Sequence, residues 1–236
     1  RTNWQLGKYT DPKNNTYKVW MDEDYYKPRF DDQAAHLLPP IAPHHSGPAG
    51  MIYNPGTALS QEWDEHFFVV TFVGSAARSG INAFTLEPKG ASFEMTSDKE
   101  VLRGVQITGL DVGPDGALYG SDWIEGWGRN ENGRIWKFFT ENDSESRAEL
   151  REETRQLLAE DFSSTDTERL EQLLNHTDMR VRSKAQFELV ERGERERLQA
   201  VLKQSNVQLA RIHALWGLGQ MARKNPELGR DLIAML

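Results

Sequence analysis

The chain has 236 residues, a formal net charge of −8 and a pI near 5.3, which suggests one or two domains and argues against nucleic-acid binding, since that requires a basic face. The absence of cysteine excludes disulfides, thiolate metal sites and c-type haem attachment within these residues. No apolar run of about 18 residues is present, so the sequence predicts no membrane-spanning helix.

The chain begins at Arg1 rather than at a methionine, and its first residues are already strand-like. No signal peptide is recognisable in its first residues. We therefore expect an internal fragment of a longer protein, for which a missing targeting signal says little about location.

Residues 1–140 contain short apolar runs separated by Gly, Pro, Asn and Asp, a pattern typical of β-strands. The run His66–Phe72 is the most hydrophobic and predicts a buried strand. The runs lie too close together for helices between them, so the predicted sheets are antiparallel. The other runs are Tyr17–Trp20, Met51–Tyr53, Ile81–Leu86 and Phe93–Met95.

The stretch Ile107–Phe138 predicts strand, tight turn, strand, long loop and strand. The turn is Gly113–Gly116, in which Pro114 presets φ and the glycines and Asp115 tolerate positive φ. This order is typical of a β-propeller blade. A blade takes about 40–50 residues, so residues 1–140 predict about three C-terminal blades of a partial antiparallel β-propeller.

Residues 141–150 are polar and predict a linker, after which an amphipathic helical period begins. Residues 151–236 then show a repeat with a spacing of 29, which predicts stacked helical hairpins of an incomplete HEAT-like array. Asp178 is expected to cap a helix. The repeat pairs Arg182 with Arg211, expected to brace turns between helices, Ala185 with Ala214, expected to allow close packing, and Leu189 with Leu218.

Two loops of the β region carry residues suited to chemistry. His44 and His45 follow a proline-rich entry, and a loop histidine can act as a general base; the alternative is a solvated pair. Arg78, in the glycine-flanked loop 74–80, could bind a carboxylate bidentately, or could pair with an acid of a neighbouring blade. Ser75 lacks an adjacent base, so a hydrolase nucleophile is not expected there.

The loop after the second strand of the blade motif carries three further candidates. Asp122 could help hold calcium through its oxygens, or it could cap the strand end. Trp123 and Trp127 could stack on a sugar or a flat cofactor, or they could fill gaps between blades.

Several segments resemble one bacterial family. They are Asn3–Glu23, Gly47–Ser60, His66–Glu94 and Asp111–Gly128, with Gln172–Gly193 and Ala210–Arg223 in the helical part. The chain resembles the membrane-bound dehydrogenases of planctomycete-type bacteria. Members join a propeller similar to the quinoprotein glucose/sorbosone dehydrogenases to HEAT-like repeats and often to a c-type cytochrome domain.

The resemblance implies a site for pyrroloquinoline quinone with calcium nearby, and oxidation of a sugar or alcohol by base-assisted hydride transfer. Electrons would pass to a c-type cytochrome outside this chain, and the location would be periplasmic or at the cell envelope. The sugar dehydrogenases carry an aromatic residue and an Asn where Ala76 and Ala77 stand here. The implied roles are catalysis for His45, cofactor binding for Arg78, Ser75 and Trp123, metal binding for Asp122, and substrate binding for His44 and Trp127.

Two other functions are compatible with the same residues. One is a binding module without redox chemistry, in which the propeller holds a glycan or partner and the HEAT surface docks a protein. The other is a calcium-dependent propeller hydrolase, which the sequence favours least.

Overall fold

The computed structural model describes residues 29–31, 41–42, 44–124, 126–128, 131–141 and 143–233. The chain divides into two compact units, Arg1–His44 with Glu87–Met95, and His45–Leu86 with Thr96–Leu236. Within the first unit, Lys89 Nζ lies 2.5 Å from a carboxylate oxygen of Glu94. The predicted strand Tyr17–Trp20 falls outside the described residues.

Seven strands form two antiparallel sheets in the described residues, followed by six α-helices. The mixed β and α composition and the antiparallel pairing that the sequence predicts are thus confirmed. One sheet has the order β1-β2-β3-β4, with β1 Pro48–Tyr53, β2 Phe67–Thr71, β3 Gly80–Lys89 and β4 Ser92–Arg103. The other has the order β5-β6-β7, with β5 Ile107–Val112, β6 Leu118–Asp122 and β7 Arg134–Phe138.

The register places the most apolar strand in the middle of the first sheet. Phe68 of β2 lies opposite Ile52 of β1 and Ala83 of β3. Phe68 and Ala83 are fully buried, because this face of the sheet shares one apolar core with β5 and β6. Val69, which points to the opposite face, is buried as well, and burial on both faces accounts for the run of consecutive hydrophobic residues in β2.

The predicted turn Gly113–Gly116 joins β5 to β6. Gly113 donates its amide to Ala117 O at 2.8 Å, and the Asp115 carboxylate accepts from the Ala117 amide at 3.2 Å. Gly116 has a φ of 74°, in the left-handed region that favours glycine. The turn thereby sets the register in which Val112 pairs with Leu118.

The helices are α1 Glu145–Ala159, α2 Thr167–Leu173, α3 Met179–Glu191, α4 Arg195–Gln204, α5 Gln208–Lys224 and α6 Pro226–Ile233. The first helix begins inside the range 141–150 that the sequence assigns to a linker. Ser144 starts it by accepting a hydrogen bond from the Arg147 amide. None of the described helices combines the length and the apolar character needed to cross a membrane.

The spacing of 29 separates the first residues of α3 and α5. Asp178 caps α3 as predicted, with its carboxylate 2.8 Å from the Arg180 amide. The two predicted arginine braces are also present. Arg182 donates to His176 O at 2.6 Å, and Arg211 donates to Ser205 O at 3.1 Å. Each arginine therefore closes the turn before its own helix.

Arginine side chains also join the helices to the β loops within the second unit. Arg147, which is only 8% exposed, donates to Leu59 O at 2.7 Å and to the Asp64 carboxylate at 2.7 Å. Arg180 donates to Val112 O at 2.6 Å at the end of β5. These charge-assisted hydrogen bonds are buried or half-buried, so they hold the helices to the β loops in addition to the covalent link between them.

Candidate functional site

A cleft of about 250 Å³ opens beside the first sheet, within the second unit. His45 and Arg78, two of the predicted site residues, both line it. Other lining residues come from β2, β3 and β4, among them Thr71, Asn82 and Glu100. The cleft is smaller than the roughly 300–1,000 Å³ that encloses a small organic ligand.

His45 is held by a carboxylate that lies 53 residues further along the chain. Its Nε2 is 3.0 Å and 2.9 Å from the two carboxylate oxygens of Asp98, on β4. A carboxylate in this position holds an imidazole ring in one orientation. Sequence reasoning missed Asp98, because it is one of several polar residues in the exposed strand β4.

Arg78 and Ser75 lie on one short loop between β2 and β3. Residues 76–78 form a single 3₁₀ turn, in which the Arg78 amide donates to Ser75 O at 3.1 Å. The buried Ser79 hydroxyl donates to the same oxygen at 2.8 Å and accepts from the Val73 amide at 3.1 Å. Ser79, which sequence reasoning also missed, therefore fixes the loop that presents Arg78 to the cleft.

Trp127 lies against the start of the same loop. A side chain at Gly74 would come within 1.9 Å of the Trp127 indole nitrogen, and the Phe72 ring meets the indole edge-on at 4.9 Å. The indole is nevertheless 72% exposed. Trp127 is thus anchored along one side and offers an aromatic surface to solvent, as stacking on a sugar requires.

Trp123 is held closer to the protein. Its backbone amide donates to Gln106 O at 2.9 Å, and its indole nitrogen donates to Gly128 O at 3.0 Å. The buried Gln106 side chain accepts from the Gly126 amide at 3.1 Å. Gln106, a further residue that sequence reasoning missed, fastens the loop that carries both tryptophans.

Asp122 already accepts hydrogen bonds from three protein donors. Its carboxylate is 2.9 Å from the Ile124 amide, 2.7 Å from the Trp136 indole nitrogen and 3.1 Å from Arg134 Nε. The Asp122 side chain is only 4% exposed. These contacts fit the strand-end cap, which was one of the two sequence interpretations, and they do not fit a calcium ligand.

Arg78 supplies a cationic group to the cleft, at the residue for which the sequence predicts anion binding. Arg103 also lines the cleft, but Glu100 neutralises it, with Arg103 Nε donating to the Glu100 carboxylate at 2.7 Å. Arg78 therefore fits the predicted anion-binding role better than Arg103 does. His44 lies in the first compact unit, whereas His45 and Arg78 lie in the second.

No protein-family model, no curated protein and no solved structure matches the chain.

Proposed function

We propose that the chain is part of a periplasmic or cell-envelope dehydrogenase of the planctomycete type, which oxidises a sugar or an alcohol with pyrroloquinoline quinone. The two sheets would be propeller blades, and the helices a HEAT-like array. One observation supports this proposal most strongly: His45, paired with Asp98, shares a cleft with Arg78. A base and an anion-binding cation in one cleft are what the reaction needs.

In the proposed reaction, His45 removes the hydroxyl proton of the substrate, and Asp98 stabilises the imidazolium that results. A quinone held there would supply the hydride acceptor for the carbon that bears this hydroxyl, so that the substrate becomes a carbonyl compound. Arg78 would bind a carboxylate of the quinone bidentately. Trp127 would stack on the apolar face of a sugar ring, since its indole is exposed beside the Arg78 loop.

Calcium remains part of the proposal through the family resemblance alone, and Asp122 is no longer offered as its ligand. Electrons would leave to a c-type cytochrome outside this chain. The helical surface would be free for a protein partner.

The first experiment supplies the full-length protein with the quinone, calcium and an artificial electron-accepting dye, and measures sugar-dependent dye reduction. We expect Arg78→Ala to abolish quinone binding, because no carboxylate clamp remains, while the melting temperature stays nearly unchanged. Arg103→Ala is the matched control, since Glu100 already neutralises that cleft arginine, and it should retain quinone affinity. An unaltered quinone affinity in Arg78→Ala would remove Arg78 from the site.

The exposed Trp127 also favours a second candidate, a glycan-binding module without redox chemistry. Tight glycan binding that Trp127→Ala removes, in a protein that reduces no dye with any sugar or alcohol, would support this candidate over the dehydrogenase.

A further inference from the structure

Helix α5 has apolar residues on two faces rather than one. Ala210, Ala214 and Leu218 are buried in the helical core. On another face, Leu209 is 47% exposed and Trp216 is 54% exposed, with the half-buried Ile212 between them. The spacing i, i+3, i+7 aligns these three side chains in one stripe along the helix. A surface helix normally presents polar residues there, so this stripe requires an explanation.

The repeat extends the stripe onto the neighbouring hairpin. Phe187 of α3 lies 29 residues before Trp216, and it is also exposed, at 56%. Arg180 lies 29 residues before Leu209, and on α3 it contacts another element by donating to Val112 O at 2.6 Å. In the first hairpin this position is a polar residue that binds β5, whereas in the second it is the exposed apolar Leu209. We call Phe187, Leu209, Ile212 and Trp216 the outer helical surface.

The charges of α5 indicate what kind of partner fits. The helix contains Arg211, Arg223 and Lys224 and no acidic residue, although the whole chain has a net charge of −8. Two copies of α5 placed face to face would therefore bring like charges together, whereas an acidic partner would be attracted. Gly219 lies one turn beyond Trp216, and a side chain built there meets nothing within 4 Å. A partner therefore has room at this point.

We propose that the outer helical surface binds an acidic amphipathic helix of a partner protein. The apolar side of that helix covers Trp216, Ile212 and Leu209, and its carboxylates lie near the basic residues of α5. This is recognition of one amphipathic helix by another, in which apolar anchors spaced by i, i+3 and i+7 supply affinity and flanking charges supply specificity. The proposal is independent of the dehydrogenase chemistry, because none of these residues lines the cleft.

The test uses two synthetic helical peptides of about 18 residues, long enough to form several turns once bound. They share one apolar face and differ only in their flanking residues, which are Glu in one and Lys in the other. Fluorescence anisotropy measures their binding to the full chain. We expect the acidic peptide to bind, and Trp216→Gln to weaken it by at least about tenfold, as expected for a buried aromatic anchor. Ile135→Gln, at a 75% exposed apolar residue of β7, is the matched control and should leave binding unchanged.

A second variant keeps the test valid if Trp216→Gln lowers the melting temperature. Arg223→Glu leaves the apolar stripe intact and should reduce the preference for the acidic peptide over the basic one. Equal binding of both peptides, or binding of neither, would overturn the proposal. So would a dimer of the chain that Trp216→Gln converts to a monomer, because the occupant would then be a second copy.

Discussion

The β region and the helical region of the second unit are held together by different kinds of contact. In the helical region, the buried side chains of helices α1 to α5 form one continuous apolar cluster, against which the half-buried Leu232 of α6 packs. In the β region, a smaller apolar core is supplemented by buried polar side chains that bind loop backbone, among them Asn54, Ser79 and Gln106. Helix packing therefore depends chiefly on apolar periodicity, whereas the positions of the β loops depend on individual hydrogen bonds.

The difference matters for function because the cleft and the tryptophans lie on those loops. Removing one of a few buried hydrogen bonds leaves a buried loop group unsatisfied, which destabilises the loop by about 1–3 kcal/mol. We therefore expect changes at Ser79 or Gln106 to alter ligand binding before they alter helix content. Changes in the helical core should lower helix content before they alter ligand binding.

Arg147→Ala would test the comparison most severely, since this side chain joins the two regions. Its removal takes the buried guanidinium partner from the Asp64 carboxylate and leaves the Leu59 carbonyl with Arg151 as its remaining arginine donor. We expect a loss of about 3 kcal/mol in the free energy of unfolding. Urea titrations followed by far-UV circular dichroism and by tryptophan fluorescence would measure it.

Arg155→Ala is the control, because Arg155 lies on the same helix and its partner Glu152 is also exposed. In the native protein the two spectroscopic signals should change together. If the circular dichroism and fluorescence signals of the native protein change at different urea concentrations, the two regions unfold independently, and the arginine contacts do not couple them.

His213 provides a pH-dependent test of the helical region. Burial, with a smaller contribution from the positive charge of Arg182, lowers the pKa of His213 to about 4. The neutral ring pairs with the Gln186 side-chain oxygen at 2.8 Å. Because the unfolded chain binds the proton more readily, the stability that the neutral ring provides is present above pH 6.5 and is lost as the pH falls towards 4.

We expect the native protein to lose roughly 2–3 kcal/mol of stability from this group over that interval. His213→Asn should flatten the dependence, as measured by urea titrations at a series of pH values. An identical pH dependence in the variant would show that other groups dominate. The predicted change is confined to the helical region, so the Arg78 cleft should bind its ligand equally well in both proteins at neutral pH.

Asn54→Ala should produce the smallest of these effects. The Asn54 side chain donates to Trp63 O at 2.7 Å and accepts from the Gly56 amide at 2.9 Å, so it closes the loop that follows β1. We expect a loss of about 2 kcal/mol, since buried backbone groups lose their partner. Thermal unfolding would measure it, with the exposed Asn175 of the helical region replaced by Ala as the control. A larger loss at Asn175 than at Asn54 would contradict the comparison.

The regular elements follow from local patterns in the sequence. The alternation in Ile107–Val112 and the apolar run His66–Phe72 predict strands that the structure contains, and the spacing of 29 predicts where α3 and α5 begin. The cap at Asp178 and the brace at Arg182 were also predictable, because each acts on residues close to it in the chain.

The other features depend on contacts between residues that are distant in the chain, and the periodicity of the sequence does not predict such contacts. The pairing of His45 with Asp98 joins a loop to a strand that is exposed along most of its length, and nothing in either segment indicates the other. To predict that Trp136 donates to Asp122, one must know the register between β6 and β7. The start of α1 at Glu145 was missed because its polar sequence has no apolar stripe, while its stability comes from the contacts of Arg147.

These contacts constrain how the polypeptide could be divided. The sequence suggests a domain border between residues 138 and 145. A break there would remove the hydrogen bonds that Arg147 and Arg151 donate to the carbonyls of Leu59 and Thr57. A shortened gene product meant to carry the sheets alone would have to retain the first helix through Arg151. Recombination that exchanged only the sheets between proteins would have to bring that helix along with them.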